Sequence, residues 1–502
     1  MQERGRNNED FFIALRTDDI WKNLHKFMFP GLKSGSFDEY KGTGDIAASR
    51  GYLTLMKACN FAYTIGAMDW AAKNGHLEVV IWLHENGSLC TTRAIDWASK
   101  FGHLEVVKFL CENRKEGCTG DAIDRAARNG HLDIVKYLHE KRLGSASRTT
   151  EMVMINGKLE SVTRYNFAMN WAAKNGHLNV VKWLHENKIE GCTTFAMDRA
   201  ASSGNLNVVK WLHENRTEGC TTNAMDWAAW GGHLNVVKWL HENRTEGCTT
   251  NAMDDAAGGG HLELVIWLHK NRAEGCTTEA MDWAAVRGHL DVVIWLHKNR
   301  TEGCTTNAMD FSSCGAYLDV VKWLHENRKE GCTKQAMDGA ASFGHLETVR
   351  FLHENRKEGC NDNAMNWAAG RGHLELVKFL HHSRRNGCTA FAMNRAAGAG
   401  HLNVVRWLHE NRKEGCTVAA MNWAARNGHF DVVKWLHENR REGCTTKGMV
   451  WSIRNGRFDM VKFLWKNRAK EVCLADAMDC AYRCGSLEMA EWLEENSELS
   501  RN

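Results

Sequence analysis

A phrase of 28 residues, repeated along most of the chain, constrains the fold more than any other feature of the sequence. Its clearest copy is CTTNAMDWAAWGGHLNVVKWLHENRTEG, residues 220–247. The glycine before the HL dipeptide of this copy, Gly232, has equivalents in 28-residue register at Gly204, Gly260, Gly288, Gly344, Gly372, Gly400, Gly428 and Gly456. A fixed period of this length indicates stacked supersecondary units, each of which buries its apolar faces against its neighbours.

Each copy contains the pattern of two helices. Thr221 and Thr222 offer hydroxyl groups for the start of the first helix, and Asp226 lies in its first turn, where the helix dipole favours a negative charge. Gly232 can take the left-handed conformation that ends this helix. The second helix carries Leu and Val at i, i+3 and i+4 spacings in LNVVKWL. The pattern therefore predicts an all-α solenoid of stacked helix-turn-helix repeats with abbreviated loops.

The phrase NAMDWAAWGGHLNVVKWLHE resembles the ankyrin repeat, whose pattern is T-P-L-H-x-A-A-x-x-G-H-x-x-V-V-x-x-L-L. Ala-Ala, Gly-His, Leu and Val-Val match, while Met225 stands at a family leucine, Asp226 at the motif histidine and His241 at the second leucine. The resemblance covers residues 45–496. Because the family period is 33 residues, the missing five imply a short variant that lacks most of the β-turn finger.

The repeat divides the chain into five segments. We expect an N-terminal helical cap or adaptor segment at 1–44, a first ankyrin-like block at 45–142, a degenerate repeat with a candidate kink at 143–166, regular ankyrin-like repeats at 167–474, and a C-terminal capping repeat and tail at 475–502. The degenerate repeat is inferred because only 19 residues separate Gly157 from Gly176. The capping role of the last copy is inferred from its acidic second helix, SLEMAEWLEEN.

Composition limits the function classes. Lys+Arg 64 against Asp+Glu 61 leaves a net charge of +3, so no bulk field favours nucleic acid or a membrane. The opening MQERGRNNEDFF lacks the apolar run of a secretory signal, and no window approaches ~18 apolar residues. We therefore expect an intracellular, cytoplasmic protein without a membrane segment.

Cysteine and histidine both recur at fixed repeat positions. Of 18 cysteines, 13 occupy one position, and equivalent positions in a helical stack are roughly 8–10 Å apart, too far for disulfides. We interpret them as reduced, small and buried. Of 25 histidines, 23 occupy two positions, and without paired-cysteine motifs we favour hydrogen bonds between neighbouring repeats over a zinc site. Most tryptophans are periodic too, which favours packing between copies over a stacking platform for bases.

Catalysis is disfavoured, because the polar residues recur in every copy and no unique nucleophile–base–acid set is visible. We expect no cofactor and no metal. The informative positions are the two residues before the turn glycine, which vary while their neighbours stay fixed. The ankyrin resemblance implies that they end the inner helix and face the concave surface that binds partners. The candidate residues are Lys73, Asn74, Lys100, Phe101, Arg128, Lys174, Trp230, Arg287, Phe343, Arg371, Arg426 and Arg454.

These features predict a monomeric, non-catalytic scaffold that binds a protein partner on the concave face of the stack. Two alternatives remain open at this point. Residues 1–44 could recruit a ubiquitin ligase for which the repeats select a client, and basic concave positions could bind nucleic acid, the less favoured of the two kinds of partner. The partner itself cannot be identified from the repeat.

Overall fold

A computed structural model describes residues 43–58, 61–141, 150–155, 158–163, 167–187, 192–383 and 388–499. In these residues the chain forms 32 α-helices that follow one another in pairs, and one two-stranded hairpin. The predicted all-α stack of helix pairs is confirmed. Contacts divide the chain into two units, residues 1–252 and 253–502, and each is described by itself.

Every pair consists of a first helix, which carries the alanines, and a second helix, which carries the Leu-Val pattern. In the first unit the first helices are Thr43–Ser49, Gly66–Lys73, Arg93–Phe101, Asp121–Arg128, Ala168–Lys174, Thr194–Ser202 and Asn223–Trp230. Their second helices are Leu53–Ala58, Leu77–Glu85, Leu104–Asn113, Leu132–Glu140, Leu178–Glu186, Leu206–Asn215 and Leu234–Asn243. The first helix Asn251–Gly258 contains the boundary between the units.

The second unit continues the same alternation. Its remaining first helices are Thr278–Val286, Thr306–Cys314, Lys334–Phe343, Asp362–Gly370, Ala390–Gly398, Val418–Asn427, Thr446–Arg454 and Leu474–Arg483. Its second helices are Leu262–Asn271, Leu290–Asn299, Leu318–Asn327, Leu346–Asn355, Leu374–Ser383, Leu402–Asn411, Phe430–Asn439, Phe458–Arg468 and Leu487–Leu499, with a 3₁₀ turn at Ala469–Glu471.

The core is a layer of small and branched side chains between the first and second helices. In the copy at 220–247, Ala228 is fully buried in the first helix and Val237 in the second, and Met225 and Leu240 are almost fully buried. Alanine lets neighbouring first helices approach closely, and within each unit each first helix packs against the next. Burial of these apolar side chains is the main stabilising contribution, since each fully buried Val, Leu or Met contributes about 1.5–3 kcal/mol.

Two constraints make the turn residue a glycine. Gly204 adopts φ +73, a left-handed conformation that favours glycine. A Cβ at Gly204 would also lie 2.6 Å from Nδ1 of His233 in the next repeat. Ala316, which replaces this glycine in one repeat, keeps φ 63, the one positive φ of a non-glycine residue in the described part of the chain.

The segment expected to be a degenerate repeat contains a β-hairpin. Strands Thr150–Ile155 and Lys158–Thr163 pair antiparallel, with Ile155 opposite Lys158. The sequence favours this structure because TEMVMI alternates polar and apolar residues and the Asn156-Gly157 dipeptide suits a two-residue hairpin loop. A strand, Lys158–Thr163, stands where the repeat pattern after Gly157 would place a second helix.

The repeats on either side of this hairpin stack directly on each other. Asn175 Nδ2 donates to the carbonyl oxygen of Arg128 at 2.5 Å, and the Arg128 guanidinium lies 4.5 Å from the centre of the Trp171 ring. The segment is therefore an insertion between two stacked repeats, at the loop where the ankyrin finger would stand. The kink that the shortened glycine spacing suggested stays a prediction.

The two ends of the chain are described unequally. The cap or adaptor predicted for residues 1–44 lies outside the described residues except for its last two positions. At the other end, Ala490 and Leu493 are buried, while Glu491, Glu494 and Glu495 are exposed. The outer face of this second helix is therefore polar, which is the property that a capping repeat needs.

Candidate functional site

In most repeats, hydrogen bonds join a buried Asp or Asn of the first helix to the loop that leads into the next repeat; we call them inner rungs. The Asp282 carboxylate accepts from the Thr305 amide at 2.8 Å and from the Thr305 hydroxyl at 2.6 Å. The same hydroxyl accepts from the Asn307 amide at 3.1 Å and so caps its own helix. Equivalent rungs are Asp69–Thr91, Asp96–Thr119, Asp198–Thr221, Asp226–Thr249, Asp254–Thr277, Asp310–Thr333 and Asp338–Asn361.

Some inner rungs use a carboxamide instead. Asn394 accepts from the Thr417 amide at 2.9 Å, and its Nδ2 donates to the Thr417 hydroxyl at 2.8 Å. Asn170, Asn366 and Asn422 occupy equivalent positions. Burial raises the pKa of Asp282 above its ordinary value, and the hydrogen bonds from Thr305 offset only part of this effect. The same cause raises the pKa of Asp96 and Asp198.

The carboxyl end of each first helix is bound by the next repeat. His103 Nε2 donates to the Lys73 carbonyl oxygen at 3.1 Å, and His131 Nε2 donates to that of Lys100 at 3.2 Å. The histidines after the turn glycine thus make the hydrogen bonds between neighbouring repeats that the sequence predicts. Burial lowers the pKa of His103 below its ordinary value, which keeps the ring neutral near pH 7.

A second ladder, the outer rungs, joins the second helices. Arg300 donates Nε to Glu302 at 3.2 Å and Nη1 to Nδ1 of His269 in the preceding repeat at 3.4 Å. The His269 ring meets Trp295 edge-on at 5.2 Å. Burial alone would raise the pKa of Glu302, but the hydrogen bond from Arg300 and nearby backbone amides outweigh it and hold the pKa below its ordinary value. Arg244 forms such a rung with Glu246 and His213.

The repeat cysteines are free, and most are buried, as the sequence predicts. Burial raises the pKa of Cys220 to about 12, with nearby Glu246 adding to the shift. Because the thiolate is the reactive form, this position is inert near neutral pH. In the described residues, no three His, Cys, Asp or Glu side chains are grouped so as to hold a metal ion.

The inner-helix face is the exposed side of the first helices. It consists of Asn223, Trp227, Trp230 and Gly231 in the copy at 220–247, together with the equivalent positions of every other repeat. Trp230 is 56% exposed, Phe343 51% and Phe101 42%. Large apolar side chains at this exposure contribute little to the core, so the face is a candidate contact surface.

All twelve predicted positions lie on this face, but the side chains of two of them also donate hydrogen bonds to the preceding repeat. Asn74 Nδ2 donates to the Ser49 carbonyl oxygen at 2.6 Å, and Arg287 Nη1 donates to that of Gly258 at 3.2 Å. Most of the remaining positions present exposed aromatic rings or basic groups beside rings. In the first unit these are Lys73, Lys100, Phe101, Arg128, Lys174 and Trp230, and in the second Phe343, Arg371 and Arg426. Arg454 is an exposed basic residue of the same face.

The sequence prediction missed part of the face. Arg199 lies 4.5 Å from the centre of the Trp227 ring and 4.6 Å from that of Phe195, which is 41% exposed. Arg395 and Phe391 repeat this arrangement in the second unit at 4.7 Å. These residues replace Trp227 and Asn223 of the repeat phrase. The criterion of variation among fixed neighbours would have found them if applied to all four positions of the face.

A groove in the last repeats is continuous with this face. It encloses about 740 Å³ and is lined by Trp423, Lys447, Trp451, Arg454 and Asp479, among others. Its lining mixes acidic, basic and aromatic groups, so it extends the contact surface without indicating one ligand.

No helix among the described residues is both long and apolar enough to cross a bilayer.

Family models match most of the chain. One, described as ankyrin repeats in three copies, matches residues 68–151, 125–226, 169–254, 336–422, 365–447 and 421–502. Another, described as ankyrin repeats in many copies, matches residues 253–297. The chain therefore belongs to the ankyrin-repeat family, whose repeats are generally protein-interaction modules and typically non-catalytic. No curated protein matches the chain.

Proposed function

We propose that this protein is a non-catalytic scaffold that binds a protein partner on the inner-helix face, the predicted concave side of the stack. The observation that carries the proposal is a difference between the buried and the exposed positions of the repeat. Buried rungs and alanines recur in nearly every copy, whereas the exposed aromatic and basic groups of the inner-helix face change from copy to copy.

Exposed aromatic rings favour a protein partner because Trp, Tyr and Arg dominate the binding energy of protein interfaces, in which Phe is also enriched. Phe101 and Trp230 belong to different repeats of the first unit, so a partner that touches both would follow the stack over several repeats. Phe343 provides an equivalent exposed ring in the second unit. The low net charge of +3 also favours a protein over nucleic acid.

The test compares partner capture by three forms of the full chain. One is unchanged, one carries Phe101→Ala, Trp230→Ala and Phe343→Ala, and one carries Lys182→Ala, Lys210→Ala and Lys238→Ala on exposed positions of second helices. Proteins retained by the second-helix variant and lost from the inner-helix variant support the proposal. Equal capture by both variants would overturn it, provided that circular dichroism shows both folded.

The ligase-adaptor alternative is separated by a fourth form that lacks residues 1–44. If this form keeps the captured partner but loses ubiquitin-ligase components, residues 1–44 act as an adaptor. If it keeps every captured protein, the scaffold function stands alone.

A further inference from the structure

Four stacked repeats of the first unit carry a cation at the same position, two residues before the turn glycine, at the end of the first helix. These residues are Lys73, Lys100, Arg128 and Lys174. The helices that carry them pack on one another in this order, including across the inserted hairpin. The cations therefore form a row whose spacing equals one repeat.

The cations of this row lie beside aromatic rings. The Lys73 ammonium is 4.5 Å from the centre of the Trp70 ring, and the Lys100 ammonium is 5.0 Å from that of Phe101. Trp171 has the Arg128 guanidinium at 4.5 Å and the Lys174 ammonium at 5.4 Å. A ring holds a long basic side chain in place while leaving its N–H groups able to donate to a ligand.

No carboxylate within the described residues forms an ion pair with any of these four cations. Asp69 and Asp96, on the helices of Lys73 and Lys100, are buried and bound by Thr91 and Thr119. On the helix of Arg128, Asp121 pairs with Arg125. The arginines of the outer rungs differ from the row, since Arg216 and its equivalents each hold a glutamate of their own repeat. The row is thus positive charge on the first unit's inner-helix face that no carboxylate of the described residues pairs with.

We propose that this row binds an extended acidic segment of the protein partner, with carboxylates at every third residue. The inference rests on the proposed function and specifies the partner for the first unit. Neighbouring packed helices are about 8–10 Å apart, and a segment in the polyproline II conformation advances about 3.1 Å per residue with three residues per turn. Three residues of such an extended segment therefore span one repeat and bring i, i+3 carboxylates to the same side, opposite successive cations.

The rings favour a carboxylate partner over single-stranded nucleic acid. Bases bind such surfaces by stacking on open ring faces. Trp171 has two cations against it, and Trp97 has Lys73 at 5.7 Å and Arg93 at 5.9 Å. Because cations cover these ring faces, the surface binds mainly through its positive charge. Carboxylates can accept hydrogen bonds from these cations directly.

The test measures binding of the full-length protein to fluorescent peptides by anisotropy at low and high salt. The spaced peptide has four glutamates separated by pairs of serine or glycine residues. The control peptide has the same composition with its glutamates adjacent. We expect the spaced peptide to bind at least about tenfold more tightly, with affinity that falls as salt rises.

Two pairs of substitutions locate the binding. Lys100→Glu with Arg128→Glu should weaken the spaced peptide by at least about tenfold, and Lys100→Gln with Arg128→Gln should weaken it less. Lys182→Glu with Lys210→Glu, on exposed positions of second helices, should leave it unchanged. The neutral pair keeps the test valid if charge reversal disturbs the fold.

Three results would overturn the proposal: equal affinity for the two peptides, equal loss in both pairs of charge-reversed variants, or tighter binding of a single-stranded oligonucleotide of similar length. If no peptide binds while the capture experiment still finds a partner that depends on Phe101, Trp230 and Phe343, the acidic segment is rejected and the scaffold function stands.

Discussion

The inner rungs use different chemistry in two regions of the chain. From Asp198 to Asp338 each rung is a carboxylate, whereas from Asn366 to Asn422 each is a carboxamide. With Asp282 the threonine hydroxyl donates, and with Asn394 it accepts. The position therefore requires a planar side chain with two polar atoms, and charge is an added property that makes a rung sensitive to pH.

The largest expected effect follows from removing a rung altogether. Asp282→Ala should lower the free energy of local opening by about 2–3 kcal/mol, because the buried amide and hydroxyl of Thr305 lose an ionised acceptor. Asn394→Ala should cost about 1–2 kcal/mol, since both of its hydrogen bonds are neutral. Hydrogen exchange of the flanking repeats measures both, because a long array need not unfold in one step. Equal losses at pH 7 would contradict the comparison.

Outer rungs should matter less than inner ones. Arg300→Ala, in the same repeat as Asp282, should cost about 1 kcal/mol because its ion pair with Glu302 is partly exposed. The loss should shrink at 1 M salt, where charges are screened within about 3 Å, while the loss from Asp282→Ala should not. Arg300→Lys is the control, because it keeps the positive charge but loses the bidentate contact with Glu302. If salt does not change the stability lost in Arg300→Ala, Arg300 stabilises the fold through packing rather than through its charge.

Exchanging the two kinds of rung should transfer the pH dependence. The pKa of Asp282 in the folded protein lies above its ordinary 3.8, so the folded state binds this proton more tightly. Its contribution to stability is therefore greatest at low pH and declines as pH rises from 3.8 through the raised pKa. Asp282→Asn should remove this slope and Asn394→Asp should introduce it, with changes within about 1 kcal/mol at neutral pH.

The measurement is the opening free energy of the flanking repeats across a pH series, as a difference between each variant and the unchanged protein. Glu302, whose lowered pKa acts in the opposite direction, is present in both and cancels. A slope that persists in Asp282→Asn would assign it to another group.

The smallest effect concerns the hydrogen bond to the end of the first helix. The position of His177, after the turn glycine, is occupied by Asn205 in the next repeat. Asn205 Nδ2 donates to the Lys174 carbonyl oxygen at 2.8 Å, so His177→Asn should change stability by only a few tenths of a kcal/mol at pH 7.5. Burial lowers the pKa of His177 below 6.5, so its contribution is present above that pH and lost as pH falls through 6.5 toward the lowered value. The variant should lose this decline, which thermal unfolding at pH 7.5 and 5.5 would reveal.

Much of the fold could be predicted from the sequence because its signals are local. Gly204 marks a turn, the alanine pairs mark close helix packing, and the LNVVKWL pattern marks one buried stripe. The inserted hairpin was misread because Gly157 and Leu159 imitate the repeat, although Asn156-Gly157 between alternating residues favours a hairpin.

The rungs were missed because they join residues of different repeats. Asp226 was assigned to the dipole of its own helix, yet its carboxylate accepts from Thr249 in the next repeat. A signal was available, since an Asp or Asn is paired with a Thr or Asn 23 residues later through most of the chain. Where the rung residue is Val450, the position 23 later is Cys473, whose amide is bound by Thr446 instead.

The separation of 23 residues, shared by all the inner rungs named above except Asp69–Thr91, has a consequence for how such a chain lengthens. Each copy brings an acceptor for the copy after it and donors for the copy before it. Duplication or loss of one whole copy therefore leaves every acceptor opposite a donor, without any compensating substitution. Because every rung closes only a short loop, a longer array also folds by the same local steps as a shorter one. Copy number can thus change over generations while the chemistry between copies stays the same.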